Sequence, residues 1–213
     1  MSKVLRVVIR FRGFPILTQA LCDTIGSVWK RAIFVVLCAS VLAADKPIID
    51  NERVAVWDGP VGSNAYDTVR MYISGPKKGQ AVFTPRGGKQ TERGTSRSIL
   101  IELKDHPVPP IANRTGYPNA FPRPHVKKLL ENDRVVVWSY VWNPGEPTPM
   151  HFHDKDVVVV YLEDTALTST TPDGKKVFNE YKSGETRFNL RDRTHTELLT
   201  RGTGSALMTE LKQ

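Results

Sequence analysis

Beyond residue 45, the hydrophobic positions fall into short runs separated by clusters of Gly, Pro, Asn and Asp. Residues 135–142 alternate two faces, with Val136, Trp138, Tyr140 and Trp142 on one of them, whereas residues 157–161 are continuously apolar. Alternation with a period of two indicates a strand, and many short strands without intervening helices are typical of a β-sandwich or β-barrel. The pattern therefore predicts an all-β protein, with one short helix over residues 126–131.

Four of these runs recur in the same order further along the chain. The matched segments are 51–58 with 132–139, 66–73 with 155–162, 79–86 with 184–191, and 98–104 with 206–212. Their offsets rise steadily from 81 through 89 and 105 to 108 residues, so the first copy is the shorter one. A repeat of this kind predicts a duplicated unit. We assign the first copy to residues 45–104 and the second to residues 132–213.

A connector rich in proline joins the two copies over residues 105–131. Six prolines lie between residues 107 and 124. Proline cannot donate to a strand ladder and is excluded from sheet interiors. This segment is therefore predicted to run extended over the surface.

The first 44 residues resemble a targeting segment. Lys30 and Arg31 precede an apolar run over residues 32–42, and small residues follow, with the best cleavage position after Ala43. A run of eleven residues, ten of them apolar, is too short to cross a bilayer of about 30 Å as a helix. The segment predicts an exported protein, periplasmic or secreted, without a stable membrane anchor. The alternative is that this run forms a core element of the mature fold.

Charge and cysteine content narrow the classes of partner. The formal net charge is +8, but residues 1–44 contain six Lys/Arg and one acid, which leaves 24 basic and 21 acidic residues, a net of +3, beyond them. That excess is small and forms no stripe, so nucleic-acid binding is not predicted. Both cysteines, Cys22 and Cys38, lie in the leading segment, so the rest of the chain has no disulfide and no thiolate ligand for a metal.

Three histidines form the candidate metal site. His151 and His153 lie two positions apart before the apolar run, so in a strand both imidazoles leave on the same face. His195 follows some forty residues later and could reach them from a neighbouring strand. Imidazole nitrogens bind divalent transition metals, and Zn, Fe, Ni or Cu would all be compatible with such a site. The alternative is a vestigial pocket lined by hydrogen-bonded histidines.

The spacing of these residues resembles the two motifs of the cupin superfamily, G(X)5HXH(X)3-4E(X)6G and G(X)5PXG(X)2H(X)3N. The matching positions are Gly145, His151 and His153 for the first motif and Gly184 and His195 for the second. In the first copy Gly79, Pro85 and Gly87 match the second motif, with Gln90 at the histidine position. The resemblance implies a two-cupin (bicupin) chain of jelly-roll barrels, also called double-stranded β-helices, with a metal held by the motif histidines.

The chain also departs from the family pattern. The glutamate of the first motif falls on Val157 or Val158, and neither side chain can bind a metal. Asp156 is adjacent but has the wrong strand parity for the histidine face. The first copy has no HXH, since residues 62–66 read Gly-Ser-Asn-Ala-Tyr. We therefore expect the first copy to be degenerate and free of metal.

Three further residues are candidates for binding a substrate. Trp138 and Tyr140 belong to the aromatic stripe, which could stack on a ligand but is more typical of core packing. Arg187, with Arg191 and Arg193, could clamp a carboxylate, or all three could be solvated in a polar turn.

Two functions remain open at this point. One is the binding of a small molecule, preferably an acidic one, at a metal centre. The other is a metal-dependent enzyme, such as a dioxygenase or isomerase acting on a small oxygenated substrate, with Tyr140 or Arg187 orienting it. A shared fold does not choose between them. The sequence assigns no catalytic residue, and it leaves homo-oligomer formation open.

Overall fold

A computed structural model describes residues 46–59, 65–89 and 95–212. The predicted targeting segment, both cysteines, Gln90 and residues 62–64 lie outside these ranges. The described residues form fourteen strands and no helix. No helix long and apolar enough to cross a membrane is found among them.

The strands build three antiparallel sheets. The first part of the chain contributes β1 (Ile49–Asp50), β2 (Val54–Asp58), β3 (Asp67–Tyr72), β4 (Ala81–Thr84) and β5 (Ser98–Leu103). The remainder contributes β6 (Val126–Glu131), β7 (Val135–Trp142), β8 (His151–His153), β9 (Val157–Tyr161), β10 (Thr165–Thr170), β11 (Lys176–Tyr181), β12 (Thr186–Asn189), β13 (Arg193–Gly202) and β14 (Gly204–Leu211). The strand orders are β1-β2-β5-β3-β4 in sheet 1, β6-β7-β14-β9-β12 in sheet 2 and β11-β10-β13-β8 in sheet 3.

Sheet 2 is the central layer, because each of its faces packs against another sheet. Along β7, Val135 and Val137 belong to one hydrophobic cluster together with residues of sheet 1. Val136, Trp138 and the two aromatic residues that follow at alternate positions belong to a second cluster, together with Leu167 and Leu199 of sheet 3. The period of two along β7 therefore separates the two cores. Sheets 2 and 3 form the two-sheet barrel of the double-stranded β-helix.

Sheets 1 and 2 have the same strand order and the same pairing register. When the repeat offsets are applied to the paired residues of sheet 1, they give the paired residues of sheet 2. The pairs that correspond in this way include Val54–Leu103 with Val135–Leu211, and Val69–Ile101 with Val158–Thr209. Each of the four repeated sequence segments thus forms a strand at the same position in sheet 1 and in sheet 2.

Polar contacts correspond in the same way. The indole of Trp57 donates to Glu102 at 3.0 Å, and that of Trp138 donates to Glu210 at 2.8 Å. Between the sheets the contacts are reciprocal: Arg53 pairs with Asp156 at 2.5 Å and Arg134 pairs with Asp67 at 3.0 Å. Among the described residues, sheet 1 has no companion sheet that would close a second barrel.

The helix predicted over residues 126–131 is wrong, because this segment is the edge strand β6. Its pairing with β7 shifts register between Lys128 and Leu130, which leaves Leu129 as the extra residue of a β-bulge. With this extra residue, Val126 precedes Leu129 by three positions and Leu130 by four, which is the apolar spacing of an amphipathic helix. Val126 nevertheless packs on the barrel side, whereas the two leucines pack toward sheet 1.

Candidate metal centre

The three predicted histidines meet inside the barrel, on two paired strands of sheet 3. His151 and His153 lie on β8, and β13 pairs with it so that His195 is opposite His151. All three are buried, with exposed fractions of 1%, 5% and 8% in chain order. Their ligand atoms lie within 4.8 Å of one another, and the Nε2 atoms of His153 and His195 are 3.3 Å apart. Strand parity and register thus create a compact cluster of three imidazoles.

The histidines are neutral at physiological pH. Burial is the main cause, and it lowers the pKa of His151 and of His195 to about 3 and that of His153 well below its ordinary value. Two nearby guanidinium groups, those of Arg123 and Arg193, lower the pKa of His153 and His195 further. Neutral imidazole is the form that binds a metal, so no proton has to be removed first.

A hydrogen bond fixes the tautomer of one of the rings. The Nδ1 atom of His151 lies 2.7 Å from the carbonyl oxygen of Pro149, which can only accept, so Nδ1 carries the proton and Nε2 keeps its lone pair. The Nδ1 atom of His153 is buried and has no hydrogen-bond partner among the described residues. Three buried imidazoles at this spacing fit a transition metal such as zinc.

Carboxylates do not complete this cluster. Val157, one of the two positions for the family's glutamate, is a wall residue of the barrel core, and Val158 faces sheet 1. Asp156 is buried away from the histidines, where it pairs with Arg53 and accepts a hydrogen bond from the backbone NH of Arg191 at 2.8 Å. The donor set in the described part of the chain is therefore three nitrogens.

The proline-rich connector forms one wall of the site. It does not only run over the surface, because Ala120 is fully buried and exchanges backbone hydrogen bonds with the free edge of β8: the NH of Ala120 donates to Phe152 at 2.7 Å, and the NH of Phe152 donates to Pro118 at 2.8 Å. This pairing brings Phe121 and Arg123 into the barrel mouth. Sequence reasoning missed both residues, because prolines surround them and no motif includes them.

Arg123 lies directly against the histidine cluster. Its side chain is only 4% exposed, and Nη1 donates to Nε2 of His151 at 2.7 Å. The guanidinium lies over the rings of Tyr140, at 4.3 Å from the centroid, and Phe121, at 4.9 Å. Its Nη2 is 3.9 Å from a carboxylate oxygen of Glu197. The site therefore contains a cation held by aromatic faces.

Glu197 is the acid nearest to this guanidinium. It lies two positions after His195 on β13, and its carboxylate accepts from the indole of Trp142 at 3.1 Å. Its backbone NH is bonded to the hydroxyl of Thr148 at 2.8 Å. Residues two positions apart on a strand share a face, so Glu197 shares the face of His195. That spacing is the sequence signal that could have identified Glu197.

Trp138 and Tyr140 line the barrel interior, as their alternation predicted. Trp138 stacks on Phe121 with centroids 5.3 Å apart, and Tyr140 contacts the edge of Trp142 at 4.8 Å. Burial raises the pKa of Tyr140, although Arg123 acts in the opposite direction. Both side chains are packed core residues that support Phe121 and Arg123.

The three candidate arginines have different surroundings. Arg187 is 56% exposed on the edge strand β12, where it pairs with Glu185 at 2.6 Å and lies 5.7 Å from the ring of Tyr181. None of its described contacts is with the histidines. Arg191 donates to the carbonyl oxygen of Pro109 at 2.6 Å and anchors the connector. Arg193 donates to the carbonyl oxygen of Leu190 at 2.6 Å, so it is held by a local turn.

Glu210 is a buried acid whose ionisation has a cost. Burial raises its pKa above the ordinary 4.5, although Lys155 and the Trp138 indole oppose the shift. Because the pKa of Glu210 is raised on folding, the contribution of its protonated carboxyl to stability is present in full below pH 4.5. That contribution is lost as the pH rises through the pKa of Glu210 in the folded protein. Glutamine keeps the acceptor oxygen for Trp138 without the charge.

Glu210→Gln is therefore expected to raise the Tm at pH 7 by a few degrees, since about 1 kcal/mol corresponds to about 2 to 4 °C in a protein of this size. Thermal unfolding at pH 7 and pH 4 checks this expectation. The difference from wild type should shrink at pH 4. An equal difference at both pH values, or a less stable variant at pH 7, would contradict the assignment.

The chain resembles solved structures, but its sequence matches no known family model or curated protein. The solved structures that it resembles include a cupin domain from Bordetella pertussis Tohama I, at 25% identity over 46% of this chain and 99% of that one, with a TM-score of 0.39. A cupin 2 conserved barrel domain protein from Leptotrichia buccalis is 14% identical over 78% of this chain and 87% of that one, with a TM-score of 0.43. The polyketide cyclase RemF from Streptomyces resistomycificus is 23% identical over 48% and 79%, with a TM-score of 0.35. By its own strand topology, the described part of the chain has an all-β, double-stranded β-helix fold.

Proposed function

We propose that this chain is a cupin-domain protein that holds one divalent transition metal on His151, His153 and His195 and presents it to a small acidic molecule. One observation carries the proposal: three buried, neutral imidazoles converge in the barrel without a carboxylate among them. Zinc, iron, nickel and copper all accept imidazole ligands, and three protein ligands leave further positions for water or a ligand.

The charge of the site favours an anionic ligand. A metal bound by three neutral nitrogens keeps its full divalent charge and acts as a Lewis acid when bound. Two guanidinium groups, those of Arg123 and Arg193, are close enough to shift the pKa of His153 and His195. Glu197 lies 3.9 Å from Arg123, and the buried Glu210 also interacts electrostatically with that guanidinium. A small carboxylate would compensate the excess of positive charge.

Elemental analysis of protein purified without a polyhistidine tag tests the metal site. We expect close to one transition metal per chain after reconstitution, and loss of that metal in a His151→Ala/His153→Ala variant. Wild-type protein that stays free of metal after reconstitution with each of the four ions would overturn the proposal.

Turnover separates binding from catalysis. The alternative function is a metal-dependent enzyme, such as a dioxygenase or an isomerase, and the barrel mouth offers it polar groups on Tyr140 and Glu197. Oxygen uptake and product analysis with small diketones, phenols and thiols should show no turnover by the metal-loaded protein if it is a binding module. Turnover that is lost in the histidine variant would favour the enzyme.

We also propose that the chain is a duplicated cupin that works outside the cytoplasm. The shared strand order and register of sheets 1 and 2 support the duplication, in which the described residues of the first copy form one sheet. Export rests on the charged and apolar pattern before residue 45. Sequencing the mature N-terminus tests export: a start near Ala44 is expected, and an intact Met1 would contradict it.

A further inference from the structure

Arg123 occupies the lone pair that a metal requires on His151. Because Nδ1 of His151 donates to Pro149, its Nε2 accepts the hydrogen bond from the guanidinium at 2.7 Å. One lone pair cannot accept that hydrogen bond and bind a metal at the same time. A divalent cation and a guanidinium at this position would also repel each other. Metal binding at the three histidines therefore requires Arg123 to leave His151.

A guanidinium released in this way still needs an acceptor. The side chain is 4% exposed, held between the rings of Tyr140 and Phe121, so it stays in the barrel mouth. Its Nε is already buried without a hydrogen-bond partner among the described residues. Glu197 lies at 3.9 Å, beyond direct hydrogen-bond range, and it already accepts from Trp142. Leaving buried donors unsatisfied is costly, and more so when they are charged.

We propose that Arg123 couples the two ligands of the site: without metal it holds His151, and with metal bound it clamps a small carboxylate beside the ion. This inference rests on the proposed metal-binding function. A carboxylate suits both partners, because it can bind a metal through one oxygen and accept the planar guanidinium through the other. Metal and carboxylate should consequently bind with positive cooperativity, each raising the affinity for the other by the same factor.

The test measures zinc affinity by competition with a chromophoric chelator, with and without saturating acetate, at constant ionic strength. Acetamide serves as the neutral probe of matched size, and free-zinc levels are corrected for zinc acetate in solution. In the wild type, acetate should raise zinc affinity about tenfold or more, within the usual range of coupling between sites, whereas acetamide should have no effect.

Arg123→Met removes the competing donor and the clamp but keeps the apolar stem. Without acetate this variant should bind zinc more tightly than the wild type, by about fivefold, and acetate should change its affinity by less than about twofold. Arg201→Met is the matched control, an exposed arginine on β13 paired with Glu180, and it should behave as the wild type. Equal or weaker zinc binding by Arg123→Met without acetate, or an undiminished acetate effect, would overturn the role of Arg123.

If Arg123→Met does not fold, the wild type still tests the coupling between the two ligands. Zinc must then raise acetate affinity, measured by NMR titration, by the same factor as acetate raises zinc affinity. Zinc binding that acetate leaves unchanged would overturn the coupling and leave the metal site intact. Absence of zinc binding in the wild type would instead overturn the proposed function together with this inference.

Discussion

Replacing Asp156 with alanine is expected to destabilise the protein by about 3 to 5 kcal/mol, because it leaves a buried guanidinium without its counter-ion. The side chains of Arg53 and Asp156 are 7% and 4% exposed, and they join sheets 1 and 2 through a 2.5 Å contact. Burial lowers the pKa of Arg53, and Asp156 acts against that shift. Chemical denaturation at pH 7 measures the loss.

The second ion pair between sheets 1 and 2, Arg134 with Asp67, is the matched control. Arg134 and Asp67 are 25% and 18% exposed, so water can replace part of the lost interaction in Asp67→Ala. We expect that variant to lose distinctly less stability than Asp156→Ala. An apolar replacement of both partners, Arg53→Met with Asp156→Leu, should recover much of the loss, since it removes the uncompensated charge. Equal losses in the two alanine variants would contradict this account of the interface between the sheets.

Replacing His195 with alanine is expected to weaken zinc binding by more than about 100-fold. Groups that only orient a metal ligand are worth about 10- to 100-fold in affinity, so removal of a ligand itself should exceed that range. Competition with a chromophoric chelator gives the affinity.

His125→Ala provides the control for this prediction. His125 is exposed, it lies outside the cluster, and its Nε2 is 3.2 Å from a carboxylate oxygen of Glu146. Its replacement should leave zinc affinity unchanged. If His125→Ala weakens zinc binding as much as His195→Ala, the metal is held elsewhere and the three histidines are lining residues.

The sequence could predict the histidine cluster because period and register are short-range properties. Two residues in HXH share a strand face whatever the fold, and the repeat offsets identify which strands are equivalent. The same offsets, applied to Arg53 and Asp67, lead to Arg134 and Asp156, although nothing in the sequence indicates that these four residues pair across the sheets.

Features that depend on a β-bulge or on a segment without periodicity could not be predicted in this way. The bulge at Leu129 gave β6 the spacing of a helix, because one extra residue changes the phase of the alternation. Arg123 belongs to a connector without periodicity, and only its backbone pairing with Phe152 brings it to His151. Arg187 was a candidate clamp on account of its motif position, whereas its described partners are Glu185 and Tyr181.

X-ray absorption at the zinc edge of the reconstituted protein tests the central claim most directly. The three-histidine centre predicts a first shell of three imidazole nitrogens, recognised by the outer-shell scattering of the rings, together with a light atom from water or a carboxylate. Substitution of His195 should reduce the imidazole number by one. A first shell with a single imidazole, or one that His195→Ala leaves unchanged, would contradict the assignment of His151, His153 and His195 as the metal centre.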